Sequence, residues 1–187
     1  MTIIRPIQQS DKEFLREMLY QAVFVPPGQE PYDRSILELP EIAKYIANWG
    51  RKHDFGLIAR VDDVPAGAVW IRLFDASEKG FGFIDEQTPE LSIALEAAYR
   101  NKGLGKMMME KFFRRAFEQG YRNVSLSVDR INPAFRQIYF DIIEYCIVYQ
   151  NILALVAARY IQIKPGSHIQ NGASLHAYIT QSAEFCP

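Results

Sequence analysis

Cysteine is scarce in this chain. There are two, Cys146 and Cys186, with no Cys-x-x-Cys spacing, which excludes a disulfide scaffold and a cysteine-rich zinc module. The three histidines (His53, His168, His176) lack ligand-like spacing, so no metal is expected. Neither sign of charge dominates. Lys plus Arg number 21 against 22 Asp plus Glu, without the basic excess of a nucleic-acid binder. The longest apolar stretch of the tail, Ile152 to Ala158, falls far short of the roughly 20 residues a membrane span needs. Arg5, Asp11, Lys12 and Glu13 interrupt the apolar core that a signal peptide would require. The expectation is a soluble, cytoplasmic protein with neither nucleic acid nor membrane as partner. Its 187 residues are 49% hydrophobic and 23% charged, one domain's worth with enough apolar mass for a core.

The opening reads as a strand, Thr2 to Ile7, followed by a helix. Ser10 and Glu13 have capping-box spacing, Phe14, Leu15, Met18, Leu19 and Ala22 recur at helical spacing, and Pro26-Pro27-Gly28 stops the run. A second amphipathic pattern predicts a helix over 36–49. Strands at 54–61 and 66–74, joined through Asp62-Asp63-Val64-Pro65, form an expected antiparallel hairpin. A polar segment, 75–89, carries Asp85 and Glu86 just before Glu90. The strand 90–95 follows, then a helix over 103–119 closed by Gly120, a strand at 123–128, and a helix from Pro133 through Tyr139. Met107, Met108 and Met109 read as core, and Lys111, Arg114 and Arg115 as a solvated face. Strands interleaved with helices imply a mixed α/β sheet with helices packed on it.

The informative segment is Ala94-Leu95-Glu96-Ala97-Ala98-Tyr99-Arg100-Asn101-Lys102-Gly103-Leu104-Gly105-Lys106. A strand enters a tight turn and a helix begins at the glycines, where unpartnered N–H groups and the helix dipole favour an anion. A nucleotide-triphosphate loop would need Gly where Arg100 stands and Ser or Thr where Met107 stands. A dinucleotide fingerprint would need a third glycine at Met108. Both fail.

Arg100-x-x-Gly103-x-Gly105 resembles the coenzyme A pyrophosphate loop of the GNAT acetyltransferase superfamily, Gln/Arg-x-x-Gly-x-Gly/Ala. Strand, loop, long helix, strand and Asn132-Pro133-Ala134 leading to Tyr139 follow in the family's order, so the resemblance covers about residues 2–139. It implies an α/β (α+β) fold: a mixed, mostly antiparallel twisted sheet with helices on both faces, in a single acyltransferase domain spanning 1–187. It implies acetyl-CoA as the acetyl donor, with no metal. Arg100, Asn101, Lys102, Gly103, Leu104, Gly105 and Lys106 would form the pyrophosphate turn, through backbone amides from Lys102 to Lys106. Ile93, Ala94 and Leu95 would bind the pantetheine arm in strand fashion, and Asn132 would contact the cofactor near its sulfur. Tyr139 would protonate the leaving thiolate; a phenol with a pKa of about 10 is protonated at neutral pH.

A general base is less legible. Glu90 is the leading candidate, with Asp85 and Glu86 as neighbours and Glu96 behind them. The family also contains members that use a bound water. Trp49 and the loop Phe24 to Tyr32 are placed at the acceptor site by analogy with the family. The expected activity is acetyl transfer to a primary amine, on a small molecule or a peptide, by direct attack on the thioester. A backbone amide, that of Leu95, would polarise the carbonyl. The rival readings are a longer-chain acyltransferase and a non-catalytic coenzyme A-binding module. A second copy of the chain is a further possible partner.

The resemblance ends after Tyr139. Phe140-Asp141-Ile142-Ile143-Glu144-Tyr145 lacks the family's Gly-Phe pair, and only five of the 43 charged residues fall in 140–187. Divergence would leave strands at 158–164 and 173–180. A shifted reading frame would leave a tail that pairs poorly with the sheet or packs against another subunit, and this second outcome is the expectation.

Overall fold

Period-two alternation along the central strands sends apolar side chains to both faces of one sheet, and each face acquires its own helical cover. The computed structural model describes residues 1–121, 123–129, 132 and 153–158. Its strands are β1 (Thr2–Pro6), β2 (Phe55–Val61), β3 (Val64–Arg72), β4 (Glu90–Leu95), β5 (Asn123–Val128) and β6 (Leu153–Ala158). They lie in the order β1-β2-β3-β4-β5-β6. The first three pairings are antiparallel; β4–β5 and β5–β6 are parallel. The mixed, mostly antiparallel sheet with helices on both faces is therefore the fold expected from the sequence.

On one face, Leu57, Ala59, Val69, Ile71 and Leu91 meet Leu104, Met108, Phe112 and Phe113 of helix α3 (Leu104–Glu118). On the other, Ile58, Ala68, Trp70 and Ala94 meet Leu15, Met18 and Leu19 of helix α1 (Lys12–Ala22), together with Ile36, Leu37, Ile42 and Tyr45. Each large apolar side chain buried here contributes about 1.5–3 kcal/mol. Met107 departs from the core reading of the methionines: it is 47% exposed, while Met108 and Met109 are buried.

Several expected elements shift. The first helix is preceded by a 3₁₀ turn, Gln9–Asp11, and its entry is fixed by Gln8 N–H donating to Asp11 (2.7 Å) rather than by Ser10 and Glu13. The expected helix over 36–49 divides into a 3₁₀ turn (Arg34–Glu38), a short helix α2 (Pro40–Ala43) and further turns. Pro40 is the cause. It lacks an N–H, its ring disfavours a helix continuing from upstream, and it suits a first helical position; Leu39 before it is extended, at φ −64° and ψ 128°. The β2–β3 hairpin turns on Asp62 and Asp63, both left-handed at φ 48° and 63°, which matches strand twist in a two-residue turn.

The tail departs from expectation over one stretch. β6 begins five residues before the expected strand and pairs in parallel with β5 from Asn123↔Leu153 to Val128↔Ala158, so this part of the tail joins the sheet. Residues 159–164 and 173–180 lie outside the described residues, as does Tyr139.

Candidate active site

The site begins where two neighbouring strands part. β4 and β5 are paired only at Glu90↔Ser125 and Leu91↔Leu126, with Ser125 N–H donating to Pro89 O at 2.9 Å. Beyond that point β4 stays with β3 as far as Leu95↔Gly67, and β5 stays with β6 as far as Val128↔Ala158. Each strand is supported from its outer side, so the gap opens inside the sheet.

Ladder alternation identifies the groups facing this gap. Pro89 O serves β5, whereas Glu96 N–H donates to Ala66 O on the β3 side at 2.9 Å. Backbone groups on an antiparallel strand alternate sides, so those of Leu91, Ile93 and Leu95 point toward β5 and those of Ala94 toward β3. Among the cofactor contacts expected on β4, Ile93 and Leu95 thus offer polar edges, while Ala94 is a buried packing residue.

Glu90 stands at the closed end of the gap. It is only 2% exposed, and burying a carboxylate is costly unless donors compensate. Tyr45 O–H donates to Glu90 Oε1 at 3.0 Å, and Gly82 N–H donates to the same oxygen at 2.8 Å. Tyr45 Oη also accepts from Phe81 N–H at 2.6 Å, while its ring stacks on Phe81 and meets Phe74 edge-on. The loop after β3 is consequently drawn over the carboxylate. Gly82 eases this close approach: a Cβ there would lie 3.0 Å from Glu90 Oε1. Lys44 lies nearby; burial lowers its pKa, and the charge of Glu90 opposes that shift.

A cavity of about 160 Å³ extends from Glu90 toward α1, well above the 10–15 Å³ needed for one water. Leu19, Val23, Phe24, Ile42 and Phe81 form its wall on the α1 side. Leu91, Ser92 and Ile93 line the β4 side, and Leu126 to Asp129 with Asn132 the β5 side. Asn132 N–H donates to Asp129 O at 3.0 Å. Asp85 and Glu86 are not among the described lining residues. Both are exposed; Asp85 accepts from Gln87 and Thr88 N–H groups (2.9 and 2.8 Å), and Glu86 from Ala76 N–H (3.1 Å). Trp49 is likewise absent from that lining and stacks over Arg72 instead.

The glycine turn lies at the far end of β4. Asn101 (φ 57°) and Gly103 (φ 79°) are both left-handed, a conformation Asn and Gly tolerate best. Gly103 is the N-cap of α3 and supplies no capping side chain, which leaves first-turn amides without a side-chain acceptor, an arrangement that can hold an anion. A Cβ on Gly103 would meet nothing within 4 Å, and one on Gly105 only Leu95 Cδ1 at 3.5 Å. Lys102 is exposed, Lys106 half-buried and Leu104 buried. Arg100 is directed elsewhere: Nε donates to Leu95 O (2.9 Å) and Nη2 to Gln21 Oε1 (2.7 Å), tying the turn to β4 and α1.

The sequence singled out Glu90, the turn and β4, and gave no sign of Tyr45, which holds the Glu90 carboxylate. A tyrosine within an amphipathic stripe gives no local sign of a carboxylate partner 45 residues away.

The chain matches the sequence model of the acetyltransferase (GNAT) family over residues 14–139. No curated protein matches it. Solved structures share its fold. A GCN5-related N-acetyltransferase from Ralstonia eutropha JMP134 is 13% identical, with a TM-score of 0.56 over 75% of this chain and 90% of that one. A predicted acetyltransferase from Clostridium acetobutylicum, crystallised with acetyl-CoA, is 16% identical, with a TM-score of 0.54 over 74% and 88%. AAC(6')-Iy in complex with a bisubstrate analog, CoA-S-monomethyl-acetylneamine, is 17% identical, with a TM-score of 0.51 over 75% and 88%. With more than half of its residues matched to the family model, and that fold around a parted strand pair, this chain belongs to the GNAT acetyltransferase family.

Proposed function

We propose that the protein transfers an acetyl group from acetyl-CoA to a primary amine by direct attack. One observation carries this reading: a buried, donor-held Glu90 closes a gap between β4 and β5 whose open end leads to the uncapped glycine start of α3. The cofactor fits both ends. The Gly103–Gly105 backbone is open to a pyrophosphate, and the Ile93 and Leu95 edges can pair with a pantetheine arm as a strand would. Relatives of this fold have been crystallised with acetyl-CoA and with a coenzyme A–amine conjugate.

When bound, acetyl-CoA supplies an acyl thioester whose C–S bond breaks as the acceptor nitrogen forms its C–N bond. Glu90 accepts a proton from the acceptor ammonium, freeing the nitrogen lone pair. Ile93 N–H polarises the thioester carbonyl. Ile93 lines the cavity, whereas Leu95 lies five strand steps from Glu90, roughly 16 Å, beside the turn. Tyr139 gives the sulfur its proton, a role carried over from the family resemblance, and the products are amide, thiol and one proton. Holding the reactants together supplies much of the acceleration. Asn132 contacts the arm from the β5 side.

Amine-dependent release of free thiol tests the reading. Glu90→Gln should lower kcat by roughly 10²–10⁴-fold with unchanged acetyl-CoA affinity by calorimetry. Thiol release that does not depend on any amine would overturn it.

A further inference from the structure

A carboxylate that accepts a proton must be ionised when the substrate arrives, and burial works against that. Glu90 is 2% exposed, a setting that favours the neutral acid unless donors oppose it. We infer that Tyr45 is a positioning residue for the reaction, whose hydroxyl keeps Glu90 ionised and fixed at the end of the cavity. This rests on the acetyl-transfer reading above, with Glu90 as its base.

Chemistry fixes the direction of the bond. A hydroxyl carries one proton, and an amide nitrogen can only donate. Phe81 N–H donates to Tyr45 Oη at 2.6 Å, so the tyrosine proton goes to Glu90 Oε1, 3.0 Å away. Gly82 N–H reaches the same oxygen at 2.8 Å. Oε1 thus faces two donors, and both favour the charged form. The loop is fitted to the other oxygen as well, because a Cβ on Gly80 would collide with Glu90 Oε2 and the Phe74 ring. Tyr45 is itself held in place. Its carbonyl accepts from Trp70 Nε1 (3.3 Å), and Arg72 binds the carbonyls of Lys44 and Ala47 on either side. Its ring meets those of Phe74 and Phe81 at centroid distances of 5.1 and 5.9 Å. A donor constrained in this way is aimed before the reaction begins.

The surrounding charges act differently. Lys44 and Glu90 attract, yet the Lys44 ammonium donates to Lys79 O and lies over the Phe74 and Phe81 rings. Arg72 stands opposite Glu90 in the β3–β4 register, but its guanidinium is taken by Asp54 and two carbonyls. Asp129, on the β5 side of the cavity, opposes ionisation as a like charge. In the loop, Lys79 lies over Phe83, while Asp85 and Glu86 accept from loop amides. The α1 helix contributes Leu19, Ala22 and Val23 to the lining, none of which titrates. Tyr45 differs from all of these groups in donating to the carboxylate directly.

The test labels glutamate side-chain carboxyls with carbon-13 and follows Glu90 by NMR through a pH titration. Its signal is the one missing from Glu90→Gln. Tyr45→Phe should move the midpoint up by roughly one pH unit or more, the scale of one lost hydrogen bond to a charged group. Fluorotyrosine in place of Tyr45, a more acidic phenol of nearly the same shape, should move it down. The acid limb of kcat for amine-dependent thiol release, with butylamine or spermidine, should follow both shifts. Acetyl-CoA affinity by calorimetry should stay unchanged. If Tyr45→Phe does not fold, the fluorinated protein carries the test. A midpoint that neither substitution moves overturns the inference and leaves acetyl transfer standing, as does a kcat limb that stays in place while the midpoint shifts. Wild-type kcat in Glu90→Gln removes the base role of Glu90 and this inference with it, leaving amine-dependent transfer intact. Thiol release that needs no amine overturns both readings.

Discussion

Tyr45 spends its single hydroxyl twice, donating to Glu90 and accepting from Phe81 N–H. Removing that oxygen leaves a buried carboxylate short of a donor and a loop amide short of an acceptor. Unmet buried groups cost about 1–3 kcal/mol, so Tyr45→Phe should destabilise the protein by that amount in urea unfolding, and acetyl-CoA affinity should not change. At this scale the sequence is readable where a residue's type alone carries meaning. Gly103 marks a left-handed turn at a helix start, and Glu90 is an acid at the start of a strand. It is unreadable where meaning depends on a partner: nothing in Arg100 shows that it reaches back to Leu95 O and across to Gln21.

Among elements, two ionic joints reinforce the apolar packing of sheet and helices. Arg72, fully buried, grips Asp54 with two bonds and donates to the carbonyls of Lys44 and Ala47, which seats the segment bearing Tyr45. Arg5 and Asp11 do the same between β1 and the start of α1, at 2.6 and 2.8 Å. The Arg5 hydrogen bond is the chief cause holding the Asp11 carboxyl below its usual range; the Gln8 amide assists and burial opposes. A depressed carboxylate stabilises the fold above its unfolded pKa of about 3.9, and that contribution is lost as pH falls through the lower folded value. Asp11→Asn should therefore be less stable than the parent at neutral pH, and the difference should shrink on acidification below about pH 4. Thermal melts across that range read it directly. Pro40 shows how an element misleads: the apolar stripe from Ile36 to Trp49 is real, yet one imino acid divides its backbone.

For the whole molecule, the order of strands and of the long helix was legible because alternation, hairpin turns and glycine stops are local signals. The parallel partnership of β5 and β6 was not, because its register joins residues 30 positions apart and leaves no mark in either segment. Binding couples site to fold. At a hundredfold excess over Kd, acetyl-CoA should stabilise the native state by about 2.7 kcal/mol, raising Tm by roughly 5–10 °C for a chain of this size. Gly105→Val should melt near the parent temperature without ligand, since its first added carbon has room, and should show no such rise with it. A normal rise would remove the phosphate role from this turn.

The parting of β4 from β5 carries a consequence for solvent exchange. The middle of a sheet is ordinarily where amide protons are held longest, as they leave only when the structure opens. Here Ile93 and Leu95 occupy the fourth of six strands, yet among the described residues their edge toward β5 is unladdered. Deuterium should enter these two amides early, nearly as in a loop, while Ile58 on β2 and Val69 on β3 keep their hydrogen far longer. Acetyl-CoA should slow both positions, as though a missing strand had been laid into the gap. If Ile93 and Leu95 prove as slow as Val69 in the free protein, the gap is closed in solution and the substrate must open it.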